Sequence, residues 1–190
     1  MSRWFDRAAR RIDKAQRLLE PAIVGAGGVW ADLGCGEGVF TMLLTTLLPP
    51  DSVIYAVDRN PAALQVLEGT LIERQGEITV HTRLADFTQP LELPPLDGLL
   101  LANSLHFVNP KQPVMARLVE QLKPGGRLII IEYNTNRGNS AVPYPLADRD
   151  FLTLAAEVGL QAPQLVARQP STFLGEMYTG LAFAPVSGHR

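Results

Sequence analysis

Cysteine is nearly absent from this chain of 190 residues, which contains only Cys35. A single cysteine excludes an internal disulfide and is compatible with a reducing compartment. An excess of charge is also lacking, because the formal net charge is −2, so no broad attraction to nucleic acid is expected. No apolar run is long enough to span a bilayer, and no early segment resembles a signal peptide. We therefore expect a cytoplasmic protein without stable membrane insertion or a nucleic acid partner.

The length suits a single α/β domain over residues 1–190, with a core that needs no metal or disulfide. Residues 1–24 place apolar side chains at helical spacing, with arginines on the other face. This pattern predicts an amphipathic helix packed on the domain, in preference to a membrane-surface or nucleic-acid-binding helix. Residues 29–133 alternate between strands and helices, which indicates a parallel sheet. Residues 134–190 are predicted to add a long loop, a helix and two strands.

The periodicity and the Pro/Gly punctuation give boundaries for each element. Asn60 is expected to cap the helix that begins at Pro61. The predicted strands are 29–33, 52–57, 78–83, 97–102, 127–133, 164–168 and 177–184. The predicted helices after the first are 37–47, 61–74, 111–122 and 148–158.

A glycine-rich loop follows the first predicted strand, with Gly34, Gly36 and Gly38 directly after Asp32-Leu33. Glycines there let a ligand approach the backbone closely. A dinucleotide fingerprint would require glycine at position 39, where this chain has Val39. A carboxylate at Asp32 is also unfavourable beside pyrophosphate and suits an ammonium group better. The loop therefore argues against an NAD-dependent oxidoreductase, which stays an alternative.

Polar residues also end the next three strands of the predicted sheet. Asp58 ends strand two, Asp86-Phe87 follows strand three, and Asn103 to His106 follow strand four. In an open α/β sheet these strand ends meet where ligands bind. We therefore expect these segments to share one site with the glycine loop.

The motifs and their order resemble the class I S-adenosylmethionine (SAM)-dependent methyltransferases, close to the small, mostly bacterial type 11/UbiE-like group. The resemblance implies a doubly wound, mostly parallel seven-stranded sheet with helices on both faces and an antiparallel last strand. It also implies SAM as the cofactor. The segments that carry it are Asp32 to Gly38, Val57-Asp58, Ala85 to Phe87, Ala102 to His106 and Leu122 to Leu128.

The resemblance further implies a role for each strand-end residue. Asp32 would face the methionine part of SAM, Asp58 would accept from the ribose hydroxyls, and Arg59 would lie along the adenine. Asp86 would bind the adenine amino group, and Asn103 would contribute backbone contacts beside the methionine part. The expected cofactor-binding residues are Asp32, Gly34, Cys35, Gly36, Asp58, Arg59, Asp86, Phe87 and Asn103; no metal site is expected.

His106 is the candidate general base on the acceptor side, with a structural histidine as the equal alternative. Tyr133, at the end of strand five, is the second catalytic candidate. Cys35 is not expected to act as a nucleophile, because no histidine is near it in sequence. His81 and His189 are not expected to be functional. The residues expected to line the acceptor cavity are Trp4, Phe5, Tyr133, Tyr144, Phe173 and Met177.

The sequence thus predicts SAM-dependent methyl transfer to a small-molecule acceptor, expected to be apolar or aromatic. Related enzymes that methylate base amino groups carry an Asn/Asp-Pro-Pro-Tyr segment where this chain has Asn103 to His106. A protein that binds SAM or its demethylated product, S-adenosylhomocysteine (SAH), without catalysis remains a second reading. Three arrangements of the acceptor site stay open: an open site, closure by the N-terminal helix, or completion by a second subunit.

Overall fold

A seven-stranded sheet forms the centre of the molecule in a computed structural model, with strand order β3-β2-β1-β4-β5-β7-β6. The structure describes residues 2–74 and 77–186, and of these it describes all side chains except those of 2–8 and 74. Trp4, Phe5 and His189 therefore lie outside the described side chains. The strands are β1 (Val29–Leu33), β2 (Val53–Asp58), β3 (Thr79–Leu84), β4 (Leu96–Ala102), β5 (Leu122–Tyr133), β6 (Gln161–Ser171) and β7 (Gly175–Phe183).

The first five strands pair in parallel, and β7 runs antiparallel to both β5 and β6. The doubly wound sheet with an antiparallel last strand is thus confirmed. The strand order reverses between β1 and β4, which makes the carboxyl ends of these two strands the expected ligand crevice. The helices are α1 (Ser2–Ile23), α2 (Val39–Leu47), α3 (Pro61–Arg74), α4 (Gln112–Val119) and α5 (Asp148–Glu157), with a 3-10 turn over Leu105–Phe107.

Both faces of the sheet are covered, as the continuously apolar central strands require. Successive residues of β4 and β5 belong to different clusters: Leu99 and Leu128 pack with Phe151 of α5, whereas Leu100 and Ile129 pack on the opposite face. That opposite face holds residues of α1 and α2. Two bonds from the sheet hold α1 in place: the Thr179 hydroxyl donates to the Leu18 carbonyl (2.7 Å), and Arg127 donates to the Ala22 carbonyl (2.9 Å).

Several predicted boundaries are wrong for identifiable reasons. Helix α2 begins at Val39 and not at residue 37, because Gly38 adopts a left-handed conformation (φ 87°) that a helix cannot include. Strand β5 begins at Leu122, where a helix end was expected. Gly125 (φ 76°) and a register shift opposite Leu96 and Gly98 carry the Pro-Gly-Gly segment within the strand.

Helix α4 ends at Val119, before the predicted residue 122, since β5 already begins at Leu122. Strand β6 spans residues 161–171, well beyond the predicted 164–168, because it follows β7 in an antiparallel pair. Pro21 lies inside α1, which ends at Ile23. The predicted cap of α3 is confirmed, since the Asn60 side chain accepts from the Ala62 amide at 3.0 Å.

Two glycines give opposite stability predictions. Gly98 lies beside Trp30, and a Cβ there would come within 2.4 Å of the buried indole. Gly98→Ala should therefore lower the free energy of unfolding by about 1–3 kcal/mol through overpacking. Gly69 is its control, because it lies in α3 and a Cβ there meets nothing within 4 Å. Gly69→Ala should raise stability by about 0.5–1 kcal/mol; urea unfolding of the two variants checks both signs.

Candidate cofactor and acceptor site

Three left-handed glycines shape the loop that follows β1: Gly34 (φ 74°), Gly36 (φ 55°) and Gly38 (φ 87°). The amides of Gly34 and Cys35 both donate to the Val57 carbonyl, at 2.7 and 3.1 Å. These bonds anchor the loop to the end of β2. L side chains rarely adopt such φ values, so glycine is required here on conformational grounds alone.

The glycines also differ in what surrounds them. A Cβ on Gly34 would lie 2.5 Å from the Cβ of Ser104, so this position admits only glycine as the loop crosses the end of β4. A Cβ on Gly36 would meet nothing within 4 Å. The loop backbone at Gly36 therefore borders open space, as a cradle for a closely approaching ligand would.

Asp58, the last residue of β2, holds the glycine loop from the other side. One carboxylate oxygen accepts from the Gly36 amide at 2.7 Å, and the other accepts from the Asn60 amide at 2.8 Å. Each carboxylate oxygen can accept more than one hydrogen bond. Asp58 can therefore support the loop and still accept from a ligand.

A cleft opens beside this loop at the carboxyl edge of the sheet. Its volume is about 590 Å³ when its solvent-open mouth is included. Six of the nine predicted cofactor residues line it, whereas Asp32, Cys35 and Gly36 do not. The lining residues are Gly34, Asp58, Arg59, Ala85, Asp86, Phe87, Thr88, Asn103, Ser104, Phe107 and Val108.

Asp86 contributes a second carboxylate to the cleft. Burial alone would raise its pKa, but hydrogen bonds from the Thr88 hydroxyl (2.7 Å) and amide (2.9 Å) and the charge of Arg59 outweigh it and lower that pKa. The Arg59 guanidinium lies 4.0 Å from the other Asp86 oxygen. Asp86 is thus ionised, and it presents that second oxygen to the cleft.

Asn103 supplies an acceptor that the described residues leave unpaired. Its backbone is left-handed (φ 54°), its amide donates to the Ile131 carbonyl (2.8 Å), and its side-chain oxygen is buried without a hydrogen-bond partner. A buried acceptor without a partner is costly, so a donor on a ligand would satisfy it. Together with Asp58 and Asp86, it makes the wall acceptor-rich. Such a wall fits the hydroxyls, amino groups and positive charge of SAM and does not fit a pyrophosphate.

Asp32 lies beneath the loop, outside the cleft lining. It is fully buried and accepts from the Thr41 hydroxyl of α2 at 2.6 Å. Burial raises its pKa to about 7, the charge of Asp58 acts in the same direction, and the Thr41 hydrogen bond opposes both. In this structure Asp32 therefore joins β1 to α2, and its predicted contact with the methionine part of SAM stays a prediction.

Cys35 is a structural part of the loop. Burial, followed by the charges of Asp32 and Asp58, raises the pKa of its thiol well above the usual range. Because the thiolate is the nucleophile, a thiol held protonated in this way is unreactive. That Cys35 is not a nucleophile stays a prediction.

The acceptor side lies next to the cleft, where the 3-10 turn meets the end of β5. His106 is buried, and its ring centroid lies 4.3 Å from that of Phe107. Phe107 in turn lines the cleft. The ring centroid of Tyr133 lies 6.4 Å from that of His106. Phe173 packs edge-on against Tyr133, with 5.6 Å between the two ring centroids. The structure thus brings the two predicted catalytic residues together.

The rest of the predicted acceptor lining is divided between the surface and the core. Tyr144 is exposed, and its amide donates to the His106 carbonyl at 3.0 Å. Met177, in contrast, is buried in the core opposite Tyr133. Burial raises the pKa of Tyr133, as does the Glu132 charge, while the charge of Arg11 opposes them. Tyr133 also packs against the hydrophobic cluster that contains residues of α1, so this helix borders the acceptor side.

Sequence reasoning missed three residues that organise these sites. Thr41 binds Asp32, Ser104 donates to the Leu33 carbonyl at 2.7 Å, and Glu132 binds His106. Glu132 carried a usable signal, since it is the one charged residue directly after the buried apolar run Leu128 to Ile131. Buried carboxylates are rare unless they are paired.

An open sheet with this strand order and an acceptor-lined cleft at its switch point defines a ligand-binding α/β domain. A family model described as a methyltransferase domain matches residues 26–159. The chain therefore belongs to this methyltransferase family, as a class I SAM-dependent member. SAM is the cofactor of that class. Among residues 2–74 and 77–186, no helix is long and apolar enough to cross a membrane.

Curated relatives agree with the family assignment. A ubiquinone/menaquinone biosynthesis C-methyltransferase UbiE from Syntrophotalea carbinolica is 28% identical over 144 residues, which cover 68% of this chain and 60% of that protein. A protein-L-isoaspartate O-methyltransferase from Pyrococcus abyssi is 33% identical over 114 residues, which cover 60% of this chain and 49% of that protein. The chain thus spans about half to three fifths of the length of these relatives.

Solved structures agree with the fold at low sequence identity. The N-methyltransferase NodS from Bradyrhizobium japonicum, in complex with SAH, has a TM-score of 0.69 at 18% identity, covering 93% of this chain and 87% of that one. The magnesium protoporphyrin IX methyltransferase from Synechocystis, with bound SAM, has a TM-score of 0.70 at 14% identity, covering 96% and 92%.

The raised pKa of Asp32 predicts a pH-dependent stability. The carboxyl titrates near 3.8 when unfolded and near 7 when folded, so its favourable contribution is complete below about pH 4 and is lost as the pH rises to about 7. Asp32→Asn keeps an acceptor for Thr41 and cannot ionise. We expect this variant to exceed the wild type in stability above pH 7, by a few kcal/mol.

Urea unfolding of the wild type and Asp32→Asn between pH 4 and pH 8 measures this difference. The advantage of the variant should grow as the pH rises and level off above pH 7. Asp51→Asn, at an exposed position, controls for the loss of one negative charge. A stability difference that stayed constant with pH would contradict the assignment of the titration to Asp32.

Proposed function

We propose that this protein transfers the methyl group of SAM to a small acceptor with apolar or aromatic character. The observation that carries the proposal is the cleft beside the glycine loop, which Asp58, Asp86 and Asn103 line, the last with a buried side-chain oxygen that has no partner among the described residues. When bound, SAM supplies a methyl group on a positively charged sulfur. Every other contribution below comes from the residues of this chain.

In this proposal, each strand-end residue binds a different part of SAM. Asp58 accepts from the ribose hydroxyls while it holds the Gly36 amide, and Asp86 accepts from the adenine amino group. Arg59 and Phe87 flank the adenine from the two sides of the cleft mouth. Asn103 accepts from the methionine end. Gly34, Gly36 and Cys35 shape the backbone that carries the ligand, and Asp32 adds a negative charge beneath it once it ionises.

The aromatic surface next to the cleft supports the acceptor class. Phe107, Tyr144 and Phe173 are each about half exposed (53%, 46% and 54%), and Tyr133 joins them at the end of β5. Exposed aromatic side chains clustered at a cleft are typical of binding surfaces for apolar groups. Much of the catalysis can come from holding acceptor and methyl group in line, worth roughly 7–11 kcal/mol in the best intramolecular models.

Loss of the Asp58 carboxylate should weaken cofactor binding strongly. Hydrogen bonds to a charged group contribute roughly 1.5–3 kcal/mol each, so Asp58→Ala should raise the Kd for SAH by about 100-fold. Calorimetry with SAH measures this, and Asp51→Ala is the matched control on the exposed turn before β2. Unchanged affinity in a folded Asp58→Ala variant would contradict the ribose assignment.

Two further measurements separate the proposal from its alternatives. Tighter binding of NAD than of SAH to the wild type would favour an oxidoreductase. Incubation with methyl-labelled SAM and a panel of phenols, quinols and polar amines tests the acceptor. Label on the aromatic acceptors supports the proposal. Label only on the polar amines would reject the acceptor class, and SAH binding without transfer to any acceptor in a cell extract would favour a non-catalytic protein.

A further inference from the structure

The strongest feature that the fold and the cofactor do not explain is the buried carboxylate of Glu132. It lies on β5 at zero exposure, directly beneath the acceptor side. One of its oxygens lies 2.7 Å from Nδ1 of His106, and the other accepts from the His106 backbone amide at 3.1 Å. Both hydrogen bonds that the described residues make to Glu132 thus come from His106.

This geometry favours a hydrogen on one ring nitrogen. One Glu132 oxygen accepts from the His106 backbone amide, and an ionised carboxylate can only accept. With Glu132 ionised, Nδ1 of His106 carries a hydrogen and donates it to Glu132. In a neutral imidazole the other nitrogen, Nε2, is then left with a lone pair that can take a proton.

Nε2 is available for that role. Among the described side chains, no group makes a hydrogen bond to it, and it is not one of the fully buried polar atoms without a partner. Its ring is almost fully buried and lies against the ring of Phe107, which lines the cleft. A histidine used only to fill the core would have no need of a charged partner.

The other ionisable groups whose charges or pKa values involve Glu132 make their hydrogen bonds to backbone carbonyls. Lys111 donates to the carbonyls of Val108 (2.9 Å) and Tyr144 (2.6 Å). The Tyr178 hydroxyl donates to the Leu146 carbonyl at 2.9 Å. Neither bonds to the carboxylate, although the Glu132 charge raises the pKa of Tyr178 after burial, which is the larger cause. Glu132 is therefore dedicated to His106.

We infer that Glu132 is a positioning residue that holds His106 as a proton acceptor, and that the methyl acceptor is an aromatic hydroxyl. The inference rests on the proposed function and names the substrate class for the same site. An aromatic hydroxyl carries a proton that must leave when its oxygen is methylated, whereas an ionised carboxylate needs no base. The rings of Phe107, Tyr133 and Phe173 provide the surface on which an aromatic acceptor would lie.

The step balances as follows. The acceptor oxygen forms a bond to the methyl carbon while the bond from that carbon to sulfur breaks, and the electron pair of the broken bond stays on sulfur. The hydroxyl proton passes to Nε2 of His106. The resulting imidazolium is stabilised by the Glu132 carboxylate at Nδ1, and it later releases the proton to solvent.

Three variants separate a positioning role from a merely structural one. His106→Asn keeps a side-chain donor for Glu132 and removes Nε2. Glu132→Gln keeps the shape and removes the charge, and Glu132→Asp keeps the charge on a shorter side chain. His81→Asn and Glu68→Gln are the matched controls. The ring of His81 in β3 lies 5.1 Å from the ring of Tyr55, measured between centroids, and Glu68 accepts from Thr82 of β3. Both controls thus lie at the β3 edge of the sheet, away from β5.

The first readout needs no turnover and uses 4-nitrophenol bound to the SAH-loaded protein. If His106 takes the proton, the bound probe should show the absorption of the phenolate at a pH where the free probe is mostly neutral. The signal should vanish in His106→Asn, weaken in Glu132→Gln and persist in both controls. NMR of the 15N-labelled ring should show hydrogen on Nδ1 in the wild type and a changed tautomer in Glu132→Gln.

The second readout is methylation of 4-nitrophenol by labelled SAM. His106→Asn should lower kcat by about 100- to 10,000-fold, and Glu132→Gln by at least about tenfold because the tautomer is no longer fixed. KM for the phenol and Kd for SAH should stay unchanged, and Glu132→Asp should recover part of the rate. Loss of SAH binding or of all methyl transfer in the wild type would instead reject the proposed function.

Two outcomes would overturn the inference while leaving the proposed function intact. One is methyl transfer to carbon atoms of apolar or aromatic acceptors but to no phenol. The other is methylation of 4-nitrophenol by folded His106→Asn at the wild-type rate, which would show that the buried pair is structural. If Glu132→Gln fails to fold, the comparison of His106→Asn with Glu132→Asp decides the same question.

Discussion

The hydrogen bond from the Gly36 amide to the Asp58 carboxylate is the constraint on which the cofactor side depends. It joins residues 22 positions apart at 2.7 Å, and it forms only because left-handed glycines turn the loop back over the end of β2. Asp58 is thereby fixed at the mouth of the cleft. The same loop places Gly34 against Ser104, so the ends of β1, β2 and β4 meet around one space.

The site is built largely from acceptors, and this has a consequence for its chemistry. Asp58 and Asp86 line the cleft with carboxylates, Asn103 holds a buried oxygen without a partner among the described residues, and the buried Asp32 lies beneath with a pKa near 7. Such a wall favours a ligand that brings donors and positive charge. The adjacent acceptor side consists mainly of aromatic side chains and one histidine, His106. The two halves of the site therefore favour different kinds of molecule.

Patterns that depend on local chemistry could be predicted well. The apolar runs of β4 and β5 indicated buried parallel strands, Asn60 indicated a helix cap, and strand-end residues such as Asp86 indicated one shared edge. Boundaries failed where pairing between distant segments overrides local signals. The Pro-Gly-Gly segment before Arg127 predicts a break between a helix and the next strand. It lies within β5 instead, because Leu122 pairs with Leu96 of β4.

By itself, the sequence determined the class of fold, the family and the segments that form the cleft, because these follow from periodicity, glycine positions and motif order. Only the tertiary structure decided that Asp32 is buried against Thr41, that Asn103 leaves an acceptor unpaired, and that Glu132 lies 2.7 Å from His106. Each of these depends on side chains that are far apart in the chain or on burial by another element. Neither condition leaves a periodic signal in the sequence.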